Sequence, residues 1–336
     1  MNLYSLYHTE GPKEVGNVKN AVRLRGFILL VLSLLLLAGC GQTQVTAVKT
    51  APEKLRIGVL PLEDAMPAVV AEKNGYFVQE NIAVELVRFQ SAVEQESAIQ
   101  SGQLDGIVND LIVATLLKES GQNIKVTSIA LGSTPEEGKF AIVAAAKSGI
   151  KSLADLKGKK IGIANNTIIE YVTDGLLADG GIDPSLVDKV SVPKIPVRME
   201  MLFNNQVDAI VVPDPLLTFA EFKGAEIVAR DTARNLSQSV VIFNKKTLDE
   251  KRGAVEAFYR AYAKAVDDLN NNPADYKQLM IANVNIPEQI AKDYQIQRYP
   301  KPQLPAEEDV NNILKWMTQK GLLKTDLKYQ DLVEKI

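Results

Sequence analysis

The chain has 336 residues, 46% of them hydrophobic and 24% charged, enough for a core in roughly two domains or lobes. A net charge of -3 offers no basic footprint for nucleic acid. The only cysteine is Cys40 and the only histidine is His8. That excludes an internal disulfide and, beyond the N-terminal region, a Cys/His metal site, a Cys–His nucleophile and a Ser–His–Asp triad.

Lys19, Arg23 and Arg25 precede the apolar run from Phe27 to Leu37 (FILLVLSLLLL). The run falls short of the about 20 residues that span a bilayer, and its basic flank marks it as a secretory signal. Leu37-Ala38-Gly39-Cys40 closely resembles a bacterial lipobox. The resemblance implies removal of residues 1–39, a lipid on the Cys40 sulfur, and an anchor on the outer face of the cell membrane, in a periplasm or at the cell surface. The other reading is a cleaved signal whose cysteine is incidental. Residues 40–53 lack apolar periodicity and read as a tether.

Residues 55–60 form a strand by their pattern, 65–74 a helix, 82–89 a strand and 92–101 a helix. A short strand at 107–108 leads into a helix over 111–119, and strands follow at 124–131 and 140–146. A second unit starts near Lys147, with short helix 152–157, strand 160–164, helix 167–179 and strand 189–193. Helix 198–204, strand 208–212, helix 215–222 and strand 225–229 complete it. Strand 239–244 returns to the first unit, and helices at 249–271, 274–282, 287–294 and 306–320 follow. The alternation predicts an α/β fold on mostly parallel sheets. Val255, Phe258, Tyr259, Tyr262 and Val266 recur at helical spacing and read as core, as does Trp316.

Several strings share an order. They are Asn74-Gly75-Tyr76-Phe77, Ser101-Gly102-Gln103-Leu104-Asp105, Leu153 to Gly162 (LADLKGKKIG), Asn205-Gln206-Val207-Asp208-Ala209, Val212-Pro213-Asp214-Pro215, and Trp316-Met317 with Gly321-Leu322-Leu323. Together, over residues 54–325, they resemble the periplasmic solute-binding proteins related to the sulfonate, nitrate and thiamine-pyrimidine binders. The resemblance implies the type II periplasmic binding protein fold: two α/β lobes, two crossover strands, a helical C-terminal extension and a ligand cleft between the lobes. Mapped here, lobe one is 54–146 plus 240–336, and lobe two is 147–239. It also implies hinge closure, a small-molecule ligand, ABC permease subunits as partners, a monomer, and no cofactor, metal or catalysis.

Ligands of open α/β sheets sit outside the carboxyl ends of the strands. That rule selects Glu63 and Asp64, Asn109 and Asp110, Asn166, Thr167, Glu170 and Tyr171, and Asp214 as ligand-binding candidates. Their acidity points away from a sulfonate and toward a donor-rich ligand, cationic or a neutral heterocycle such as an aminopyrimidine. Structural readings stand beside these. Thr167-x-x-Glu170 fits a capping box, Asp110 and Asp214 fit helix caps, and Glu63 and Asp64 fit a solvated turn. Arg198 contacts ligand or pairs with one of the carboxylates; Tyr171 is placed to stack on a ligand and Tyr76 to fill core.

The leading function is therefore capture of a solute and its delivery to an importer. The alternatives are a ligand sensor for a membrane receptor, an anion binder and a structural envelope lipoprotein. A thiamine-pyrimidine synthase of this fold uses histidine and cysteine, which this body lacks.

Overall fold

Two five-stranded sheets carry the fold. The computed structural model describes residues 51–336 except 135, 136, 138 and 233–235. The predicted signal, Cys40 with its lipid, and the tether up to residue 50 lie outside the described residues. Glu53, assigned to the tether by sequence, already belongs to the first strand.

The strands are β1 (Glu53–Val59), β2 (Ile82–Arg88), β3 (Gly106–Asp110), β4 (Ile124–Leu131), β5 (Phe140–Ala144), β6 (Lys160–Ile163), β7 (Asp188–Ser191), β8 (Ala209–Pro213), β9 (Glu226–Arg230) and β10 (Ser239–Asn244). One sheet runs β2-β1-β3-β10-β4 and the other β7-β6-β8-β5-β9. The predicted parallel preference needs correcting. Four strand pairings are parallel and four antiparallel. The antiparallel ones all involve β5 or β10, the first strands after the chain crosses between sheets.

The boundary between the lobes also differs from the sequence reading. Residues 140–146 were expected in the first lobe, but β5 pairs with β8 and β9 in the second sheet. The string FAIVA is buried along its whole length. A strand apolar on both faces suits either sheet, so only long-range pairing decides its home.

The helices are α1 (Met66–Lys73), α2 (Tyr76–Gln79), α3 (Ala92–Gln100), α4 (Leu111–Glu119), α5 (Ile168–Asp179), α6 (Ile195–Phe203), α7 (Leu216–Phe222), α8 (Lys245–Glu250), α9 (Arg252–Asn271), α10 (Lys277–Val284), α11 (Glu307–Gln319) and α12 (Tyr329–Leu332). The helix expected over 249–271 is divided at Lys251, where α8 ends and α9 begins.

The aromatic stripe of α9 is core. Phe258 is fully buried and stacks on Phe77 with ring centroids 5.5 Å apart. Burying such a side chain stabilises the fold by about 1.5–3 kcal/mol. Gly75 (φ +70°) makes the left-handed turn between α1 and α2 that sets Phe77 against α9.

Candidate functional site

Four strand ends converge between the two sheets. β1 leads through Leu60 and Leu62 into a turn of 3-10 helix, Glu63–Ala65. β3 ends in Asn109-Asp110, which starts α4; β6 leads to Thr167, which starts α5; and β8 ends at Pro213. Between them lies a small, partly open cavity. Leu60, Leu131, Phe140, Ile168, Ile195 and Pro213 give it apolar walls. This is the usual construction of a small-molecule site, apolar with a few convergent polar groups.

Three carboxyl groups of the first lobe line that cavity: Glu63, Asp64 and Asp110, each under one tenth exposed. The Tyr294 hydroxyl donates to Glu63 Oε2 at 2.8 Å, and the Tyr299 hydroxyl donates to the Glu63 backbone carbonyl at 2.9 Å. Glu63 Oε1 has no hydrogen-bond partner among the described residues. Burial, reinforced by nearby Asp214, pushes the Glu63 carboxyl well above the usual range. Burial raises Asp64 to about 7, with the neighbouring Ser239 hydroxyl opposing and Asp110 adding to the rise. Asp110 is raised by burial to about 6, although backbone N–H groups hold it down.

Asp110 Oδ1 accepts from the Val113 N–H at 2.8 Å and so caps α4. Its Oδ2 accepts from the Ile168 N–H at 3.0 Å, across the cleft, at the start of α5. Asn109 is largely committed to its neighbours. Its Oδ1 accepts from the Asp110 N–H at 2.9 Å, and its Nδ2 donates to Gln95. Thr167 is the N-cap of α5, donating to the Ala164 carbonyl at 2.8 Å and accepting from the Ile169 N–H at 3.2 Å.

The second lobe contributes Arg198, buried and on the cavity wall. Its Nη1 donates to the Val192 carbonyl at 2.8 Å. Among the described residues no carboxylate pairs with it, and its Nε has no hydrogen-bond partner. Pairing with a cleft carboxylate, one of the two readings of this residue, is therefore not what the structure shows. Burial lowers its pKa to about 10, so the guanidinium stays charged at neutral pH.

Glu63, Asp64, Asn109, Asp110 and Thr167 thus border one cavity, while Asn166, Glu170, Tyr171 and Asp214 do not. Asn166 is exposed, with a left-handed backbone (φ +59°). Asp214 accepts from the Thr218 N–H at 3.0 Å and the Thr218 hydroxyl at 2.7 Å, which ties it to the first turn of α7, whose N-cap is Pro215. Glu170 accepts from the Asn166 N–H at 2.9 Å, one residue before the predicted capping box. It also meets Lys320 Nζ at 2.5 Å and Lys189 Nζ at 3.4 Å. Burial pushes Glu170 up, but the Asn166 N–H and the two ammonium groups outweigh it and hold the carboxyl low.

Tyr171 packs edge-on against Trp316 of α11, ring centroids 5.3 Å apart. Asp174 completes this outer contact. It pairs with Lys189, lies 3.4 Å from Lys320 Nζ, and accepts from Trp316 Nε1 at 3.3 Å. Helix α5 of the second lobe is thereby fastened to α11 of the first, away from the cavity. Ser237 and Ser239 on the cavity wall, and Tyr294 and Tyr299 behind Glu63, escaped the sequence reading. The tyrosines reach Glu63 over 231 and 236 residues of chain, a distance no local motif records.

Residues 63–276 match the family described as NMT1/THI5 like. A Bacillus subtilis (strain 168) protein named "Putative aliphatic sulfonates-binding protein" is 27% identical over 251 residues, 72% of this chain and 73% of the relative. A Haemophilus influenzae protein named "Putative thiamine biosynthesis protein" is 22% identical over 293 residues, 81% of this chain and 88% of the relative. The alkanesulfonate-binding protein SsuA from Xanthomonas axonopodis pv. citri, solved bound to MOPS, superposes with a TM-score of 0.75 at 16% identity. That match covers 85% of this chain and 99% of SsuA. The architecture is the two-lobed periplasmic binding protein fold.

Proposed function

Because the chain belongs to the NMT1/THI5-like family, we propose that it is the solute-binding component of an ABC-type importer, which takes a small molecule between its lobes and releases it unaltered to permease subunits. On this reading Cys40 carries the lipid that holds a monomer at the outer face of the membrane. Palmitate labelling that disappears in Cys40→Ala tests the anchor.

The proposed ligand carries hydrogen-bond donors and is neutral or cationic, as an aminopyrimidine is. One observation carries this reading: three buried carboxyl groups border the same apolar cavity, and Glu63 Oε1 has no partner of its own. A buried acceptor left bare costs about 1–3 kcal/mol, which a ligand amino group recovers. The apolar walls suit a ring. Glu63, Asp64 and Asp110 are the proposed donor-binding residues, with Asn109 and Thr167 holding the backbone around them.

A second reading, an anion such as a sulfonate, is favoured by Arg198, whose charge has no carboxylate partner among the described residues. Two anion-binding N–H groups at the start of α5 are already engaged, however, by Asp110 and Thr167. Thermal shift against aminopyrimidines, polyamines, alkanesulfonates and nitrate separates the readings. A ligand at 100–1,000 times its dissociation constant stabilises by about 3–4 kcal/mol. Stabilisation by the sulfonate alone ends the donor reading.

A further inference from the structure

The two walls of the cavity differ in chemistry. The first lobe presents acceptors and carboxyl groups, with Glu63 Oε1 unpartnered at 1% residue exposure. The second presents a guanidinium, with Arg198 Nε unpartnered at 2% exposure. The two sets do not pair with one another among the described residues, and both residues border the same cavity. A buried cation with no counter-charge is costly, and so is a buried carboxyl oxygen with no donor. Both costs fall on the closed form, where the walls face each other.

From these two orphaned groups on opposite lobes we infer that the ligand is bipolar: one end donates hydrogen bonds to Glu63 of the first lobe, and the other brings an anionic or strong acceptor group to Arg198 of the second. The inference rests on the donor reading proposed above but confines the neutral or cationic character to the end that meets the first lobe. The far end supplies the negative charge or acceptor that Arg198 lacks, and the molecule as a whole is then neutral or anionic. A bipolar ligand relieves both costs at once and joins the lobes through its own length. A compound with only one of the two ends satisfies one wall and leaves the other bare. Ligand length and lobe closure are then matched, and selectivity rejects compounds lacking either end.

Three ring compounds serve as probes by calorimetry on the purified protein: 4-aminopyrimidine, pyrimidine-5-carboxylate, and 4-aminopyrimidine-5-carboxylate, which carries both ends. The expected result is at least tenfold tighter binding of the two-ended probe than of either single-ended one. Arg198→Gln is expected to bring the two-ended probe down to within about threefold of 4-aminopyrimidine. Arg198→Lys, which keeps the charge but loses Nε, should retain part of the gap and guards against a folding defect in the glutamine variant. Equal binding of the two amino probes by the wild-type protein overturns the bipolar inference while leaving the donor reading standing. Binding of pyrimidine-5-carboxylate alone, or of none of the three, overturns both.

Discussion

The Asp110 carboxylate accepts the backbone N–H of Ile168 at 3.0 Å, so a side chain of the first lobe caps a helix of the second. The same carboxylate caps α4 of its own lobe through Val113. One residue therefore serves two helix starts, one in each lobe. Opening the cleft exposes Oδ2 and the Ile168 N–H to water, which solvates both. On the proposed hinge motion, the cross-lobe bond is expected to favour the closed form by the modest net value of a charged hydrogen bond, about 1.5–3 kcal/mol.

Asp110→Asn keeps one acceptor oxygen and loses the other, so one of its two caps fails. The expected outcome is a loss of about 1 kcal/mol in chemical denaturation and a larger radius of gyration by small-angle scattering without ligand. An unchanged radius of gyration argues that the Ile168 contact does not govern closure.

Asp64 has a folded pKa of about 7, against about 4 for an ordinary aspartate. Between those values the native state holds a proton that the unfolded chain has lost, so stability from this group falls as pH rises. It is fully present below about pH 4 and gone above about pH 7. Asp110, at about 6, acts in the same sense over the lower part of that window. Asp64→Asn is expected to gain on the wild-type protein steadily from pH 4.5 to 7.5 in ligand-free denaturation midpoints. A constant difference between the two proteins across that range refutes the raised value.

Lys320 joins Glu170 and Asp174 across the lobes on the outer side of α5. Lys320→Met leaves both buried carboxylates to share Lys189. The lysine is about one third exposed, so the cost falls between that of an exposed and a buried pair, about 1–2 kcal/mol. Raising the salt to about 1 M should shrink the gap between variant and wild type. A salt-independent gap points instead to the lost contact between the Lys320 ammonium and the Trp316 ring, whose centroid lies 5.6 Å from Nζ.

Trp316 is the only tryptophan in the chain, and its indole N–H donates to Asp174 across the lobes. Its emission therefore reports the state of the cleft without a label. Ligands that close the lobes are expected to shift emission to the blue as the half-buried ring loses water. Trp316→Phe should abolish the signal while preserving the edge-on packing with Tyr171. Tight calorimetric binding with no change in emission shows that this contact does not move on binding.

The order of elements was legible because apolar periodicity and terminal glycines punctuate the chain well; helix 111–119 and strands 124–131 and 239–244 coincide with their expected bounds. Sheet membership was not legible for β5, since FAIVA is buried on both faces and fits either neighbour. At the site, the strand-end rule brought Glu63, Asp64, Asn109, Asp110 and Thr167 to one cavity. It failed for Tyr171 and Glu170, which lie one helical turn further along α5 and turn to Trp316 and Lys320 on the outer side. Arg198 bonds a backbone carbonyl six residues away, a partner that charge matching does not suggest. The tyrosines behind Glu63 come from the C-terminal extension, where nothing in the local sequence connects them to residue 63.

In the first sheet β10 lies between β3 and β4, although about a hundred residues of the second lobe precede it in the chain. Until Ser239–Asn244 arrives, β3 and β4 have bare edges facing each other across an empty strand position, and such edges invite pairing with other chains. The second sheet, by contrast, draws all its strands from one continuous stretch, Phe140 to Arg230. During synthesis that middle segment is able to finish first, while the segment that began the protein waits for its end. A chain truncated before residue 239 should keep a folded middle and aggregate through its beginning.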